Sequence, residues 1–212
     1  MKRSSVFSAA LFREDIKRFW AISALGFFLF FLSGMYMFLV GRGRVMYFGT
    51  QSMVSSLMDG RNIGFLLVEL ILPIALAVAV FSYLNNIRSV GFFHSMPFSR
   101  TVLYASNYLA GLVLCLVPFL LNWLMFLFTK LLGGSLGELY SYASLLMWLF
   151  GSFVILLFVY SVAVLACMVS GNSVIATLTG LAFNFLVPVL LLCLYGYMSK
   201  FEFGFTWGSA YE

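Results

Sequence analysis

The chain has 212 residues, 63% of them hydrophobic and 9% charged, with a mean hydropathy of +1.06. Soluble domains are roughly 45–50% apolar and about 25% charged, so these residues cannot clothe a water-soluble globule, and a soluble enzyme is excluded. The net charge of +5 comes from basic residues scattered at the ends of apolar runs, a pattern suited to lipid headgroups and the positive-inside rule rather than to nucleic acid.

Residues 1–18 differ from the rest of the chain. In FSAALFREDIKRFW, from Phe7 to Trp20, a helix gathers Phe7, Leu11, Phe12, Ile16 and Phe19 on one face and sets Arg13, Glu14, Lys17 and Arg18 mainly on the other. That pattern predicts an amphipathic helix in the membrane interface, with Trp20 at headgroup level. A charged helical extension of the first span is the other reading. From Phe19 to Gly41 no acidic or basic side chain occurs, and the run is too long and too aromatic for a signal-peptide core. The first span is therefore placed at about 19–41. After a polar stretch, a second span covers about 63–84, and its one charge is Glu69. An ionisable group inside a span is costly and marks a functional candidate. Glu69 either lines a pathway or pairs with Arg61 or Arg44, and Pro73, four residues on, frees its carbonyl and favours a kink.

The stretch from Ser82 to Gly111 is the most informative. Its connector carries Phe92, Phe93, Met96 and Phe98, an apolar load that either dips into the interface or is covered by a partner. Ile87 to His94 is predicted as a short surface helix, and Ser99 as the N-cap of the third span, at about 102–129. From Leu139 to Ser199 no charge occurs, about three bilayer thicknesses at ~1.5 Å per residue, so the chain must turn back. Ser170-Gly171-Asn172-Ser173 supplies the turn chemistry, giving spans at about 143–169 and 174–197. Residues 200–212 form a tail rich in aromatics, which five spans and an internal N-terminus put outside the cytoplasm. With no recurring alternation and with lipid tolerating only helices or closed barrels, the fold class is an all-α, polytopic membrane bundle of about five helices.

The orientation follows from the basic residues. Lys2, Arg3, Arg13, Lys17, Arg18, Arg88 and Arg100 fall on the side of the N-terminus, against Arg42, Arg44, Arg61, Lys130 and Lys200 on the other. The densest cluster precedes the first span, which places the N-terminus in the cytoplasm.

The chemistry of catalysis is missing from the sequence. There is no phosphate-binding G-x-x-x-x-G-K-[ST] loop, no H-E-x-x-H and no G-x-S-x-G. Cys115, Cys167 and Cys193 lie in apolar runs with no metal spacing, so no enzyme activity, metal or cofactor is expected. Polar and small residues do form stripes: Ala176, Gly180, Asn184 and Pro188 in the fifth span, and Asn107, Gly111, Cys115, Pro118 and Asn122 in the third. Helix packing explains them at least as well as substrate contact.

Several of these segments together resemble a known family. A basic amphipathic start, R-S-V-x-F-x-H-S-M-P-x-S-R at Arg88 to Arg100, Y-L-A-G at Tyr108 to Gly111, S-G-N at Ser170 to Asn172 and N-x-x-x-P at Asn184 to Pro188 are similar to permease subunits of ABC-2 type transporters of Gram-positive bacteria. The resemblance implies a permease moving substrate across the plasma membrane as a homo- or heterodimer with a second permease, each engaging a cytoplasmic ABC ATPase. It also implies that Ile87, Arg88, Phe92, Phe93, His94, Met96, Pro97 and Arg100 form the ATPase-coupling loop. Glu69, Asn107, Asn122, Gly180, Asn184 and Pro188 are then the candidates for pathway or packing. Such permeases have six spans, so the expectation here is a missing sixth span or a shortened member. A non-transporting membrane scaffold or immunity protein is the alternative from another class.

Overall fold

The computed structural model describes residues 7–36, 54–85, 99–132 and 137–201. Among these there is no strand. Five long helices carry the fold: α1 (Ala9–Phe31), α2 (Ile63–Phe81), α3 (Arg100–Leu131), α4 (Tyr142–Val169) and α5 (Ser173–Phe201). A π-helical turn, Leu32–Tyr36, continues α1, and a 3-10 turn, Ser82–Asn85, continues α2. Among the described residues five helices are long and apolar enough to cross a membrane, and the chain is a multi-pass membrane protein.

Local chemistry sets the helix ends. Ser99 caps α3 by accepting from the Val102 N–H at 3.4 Å, as its sequence context predicts, and Asn62 caps α2 by accepting from Phe65 N–H at 3.0 Å. Ser141 does the same for Ala143 at the start of α4. Ser170 turns to extended backbone and ends α4, and the Asn172 side chain accepts from the Val174 N–H to open α5. The predicted turn at 170–173 is thus the one that forms.

Residues 9–18 are the opening turns of α1 and run without a break into its apolar part. No Pro or Gly interrupts the segment before Gly26; Arg13, Glu14, Lys17 and Arg18 are exposed along it, while Asp15 is bonded to Asn107 of α3. The Ser8 N–H donates to Ser106 Oγ at 2.9 Å.

Contacts give the directions. α1 and α3 run parallel: Ser8 meets Ser106, Ser23 meets Leu114, and Gly34 faces Asn122 and Phe126. α4 runs against α3, with Trp123 Nε1 donating to Leu145 O and Tyr160 Oη donating to Tyr108 O. α2 runs against α3 and so with α4, since Phe81 at its end packs on Tyr104 at the start of α3 and Phe65 at its start packs on Trp148 near the start of α4. Gly180 of α5 abuts Ile74 and Ala166. The N-terminus of α1, the exit of α2 and the entry of α3 therefore share one end of the bundle.

In lipid the packing of helices gains little from hydrophobic burial, so close approach and interhelical hydrogen bonds must hold them. Both devices are present. A Cβ at Gly26 would come within 2.6 Å of Leu72 Cδ2, and one at Gly111 would fall on the Tyr160 hydroxyl. Pro118, inside α3, has no N–H to give the carbonyl of Leu114, and Ser23 of α1 donates its hydroxyl to that carbonyl at 2.8 Å. At the other end of α3, Lys130 Nζ donates to the Gly137 and Tyr140 carbonyls, each at 2.6 Å. Tyr140 Oη donates to Phe126 O, and burial pushes this phenol above its usual range, so it stays a protonated donor.

Candidate functional site

The most distinctive cavity lies between α2 and α4, at the end of the bundle opposite Ser8. It begins with a turn. Residues 54–58 are helical, and the chain then reverses at Gly60, whose φ is +68°. The Gly60 N–H bonds to Leu57 O and the Arg61 N–H to Ser56 O, the paired bonds of a helix terminated by a left-handed glycine. This turn brings Asp59 to the rim, and Asn62 immediately starts α2.

The cavity encloses about 290 Å³. Its wall on α2 carries Phe65 and, one turn further, Glu69; its wall on α4 carries Met147, Trp148, Gly151 and Ser152. Phe65 and Trp148 have ring centroids 5.1 Å apart, and Trp148 is fixed from behind by Phe119 and Phe126. Glu69 is 2% exposed. The Ser152 hydroxyl faces its carboxyl, while Oε1 has no hydrogen-bond partner among the described residues. Among the described residues the two ionisable side chains that line the cavity, Asp59 and Glu69, are both acids. Of the two arginines expected to pair with Glu69, Arg61 is exposed and does not line the cavity, and Arg44 lies outside the described residues.

A second polar cluster occupies the end that holds Ser8. With its amide nitrogen turned toward α1, Asn107 of α3 donates to Asp15 Oδ2 at 2.9 Å and to Leu103 O at 3.3 Å. Tyr83, just past α2, hydrogen-bonds the Asn107 side chain. One side chain thus ties together three helices. Deeper, Tyr108 Oη and Ser161 Oγ lie 2.9 Å apart, joining α3 to α4.

The other sequence candidates spread over the bundle. Asn122 is fully buried beside Gly34, and neither its Oδ1 nor its Nδ2 has a partner among the described residues. Gly180 gives α5 its approach to α2 and α4. Asn184 donates Nδ2 to the Gly180 carbonyl at 2.8 Å and leaves Oδ1 unpartnered among the described residues. Pro188, at the end of that stripe, is exposed. These residues are not brought into one site with Glu69. Arg100 is exposed in the first turn of α3; Ile87, Arg88, Phe92, Phe93, His94, Met96 and Pro97 lie outside the described residues.

Sequence reasoning missed Asp59, Ser152 and Trp148 as neighbours of Glu69. The Asp59-Gly60 pair is a turn signal and announces the reversal before α2. Nothing local announces that Trp148 and Ser152 face it. No group of three or more His, Cys, Asp or Glu side chains able to hold a metal occurs among the described residues. No family model, curated protein or solved structure matches the chain.

Proposed function

We propose that the chain is the membrane-spanning permease subunit of an ABC-2 type transporter, worked by a separate cytoplasmic ATPase subunit and paired with a second permease in the plasma membrane. The observation that supports it best is the cluster of Asp15, Asn107 and Tyr83, which links the start of α1, the exit of α2 and the entry of α3. The connector that resembles a coupling loop joins the last two of these. A push on that connector is delivered to three helices at once, because their side chains are bonded to one another at its base.

In this reading the basic N-terminal end faces the cytoplasm, and nucleotide-driven closure of the ATPases acts on Phe92 and Phe93. The spans then rock between inward and outward access, the kind of rigid-body motion that two-state packed interfaces support. ATP chemistry belongs to the partner, since the sequence carries no phosphate-binding loop. A pure scaffold has no need of the uncompensated carboxyl at Glu69, and for that reason is the weaker alternative.

Affinity purification of the full chain from its own host membranes tests the proposal. The expected result is a co-purifying ABC ATPase with ATP hydrolysis, both lost in the Phe92→Asp/Phe93→Asp double variant while the permease still inserts. Absence of any such ATPase, or a complex and hydrolysis indifferent to the double substitution, overturns it.

A further inference from the structure

We propose that the cavity beside Glu69 is a binding site for a lipophilic organic cation, an amine or quaternary ammonium bearing an aromatic or branched apolar group. Three features converge on this class. The first is charge: Glu69 is 2% exposed and its Oε1 is unpartnered among the described residues, and Asp59 at the rim adds a second acid. Burying a carboxylate away from water without a counter-charge is unfavourable, and a cation in the cavity supplies that charge.

The second feature is the wall. Phe65 and Trp148 put aromatic surface beside the carboxyl, and aromatic faces attract cations most strongly where water is excluded. Met58 and Met147 add polarisable, adaptable sulfur. The third is size and donor count. A volume of about 290 Å³ sits at the lower edge of small-molecule pockets and is far larger than a bare ion. A hard metal ion needs about six oxygen ligands. Among the described lining residues the side-chain oxygens are those of Glu69, Ser152, Asp59 and Asn62, and the Asn62 oxygen already accepts the Phe65 N–H.

The chemistry is recognition alone: an ion pair to Glu69 Oε1, aromatic contact with Phe65 and Trp148, and Asp59 drawing the cation to the rim. Binding at equilibrium needs no ATPase, so the site stands or falls separately from the permease proposal.

The test is calorimetry on the purified full chain in lipid nanodiscs with benzyltrimethylammonium as probe. Saturable binding is expected, weakened on the order of tenfold by Glu69→Gln, which removes the charge and keeps the shape. Asp59→Asn is expected to weaken it about two- to threefold, as a partly screened rim charge. Gly151→Leu is expected to abolish it while leaving the carboxyl in place, because a Cβ at Gly151 meets nothing within 4 Å and a side chain there takes up the open space. No saturable binding to the native chain overturns the proposal, as does an affinity unchanged in Glu69→Gln, which marks simple partition into an apolar cleft. Should Glu69→Gln fail to fold, retention of binding in Gly151→Leu overturns it equally.

Discussion

Asp15, Asn107 and Tyr83 satisfy one another at one end of the bundle, and Tyr108, Ser161 and Tyr160 continue that network into α4. Toward the other end, Glu69 Oε1 and both amide atoms of Asn122 have no partner among the described residues. Asn107, Tyr160, Glu69 and Asn122 are buried, while Asp15, Tyr83, Tyr108 and Ser161 are half-buried. In lipid an interhelical hydrogen bond contributes only about 1 kcal/mol on average, so the satisfied end is held by many small terms acting together. The unsatisfied end carries its polar groups at a cost. Glu69 borders the open space of the cavity, where a ligand can meet it, whereas Asn122 lies beside Gly34 and Phe126 and lines no part of that cavity.

Substitutions in α3 separate the two situations. The largest effect is expected at Gly111→Ala, where the new Cβ collides with the Tyr160 ring and hydroxyl; overpacking of this kind costs about 3 kcal/mol, read as a fall in the midpoint of SDS-induced unfolding. A stability unchanged by that substitution would show that α3 and α4 do not approach so closely. Next comes Asn107→Leu, which removes the bonds of Asn107 to Asp15 and Tyr83 and is expected to cost about 2 kcal/mol in the same assay. The smallest effect belongs to the identical change at the unpartnered residue. Asn122→Leu is expected to be neutral or to stabilise by up to about 1 kcal/mol, since it removes a buried amide with no partner among the described residues. Equal losses for the two asparagines would erase the distinction between the ends.

The helical architecture was readable because charge is so scarce: the uncharged interval from Leu139 to Ser199 forces a hairpin, and Ser99 and Ser170 to Ser173 mark helix boundaries through side chains acting on their own backbone. Glu69 stood out for the same reason, as the lone charge of its run. Its surroundings were not readable. Trp148 and Ser152 are about 80 residues further along the chain, and their facing Glu69 depends on the rotation and register of α4 against α2, which in an all-round apolar helix leaves no periodic trace. Asn107 and Asn122 look alike in sequence for a related reason. They occupy one polar stripe, and it is Asp15 on α1 and Tyr83 after α2 that make Asn107 a tie, while Asn122 has no partner among the described residues. Arg61 was a natural partner for Glu69 by proximity along the chain, but the reversal at Gly60 leaves it exposed, away from the cavity lining.

The hydroxyl of Ser23, which completes the backbone of α3 beside Pro118, has a consequence for how the protein is made. Its acceptor, Leu114 O, lies 91 residues downstream, and at roughly 5–20 residues synthesised per second the first helix waits on the order of 5–20 seconds for the segment it serves. During that interval α1 has its hydroxyl and Asp15 without their destined neighbours, while α2 has already emerged. The Ser23–Leu114 bond is therefore made between helices that have both already been synthesised, by association within the bilayer.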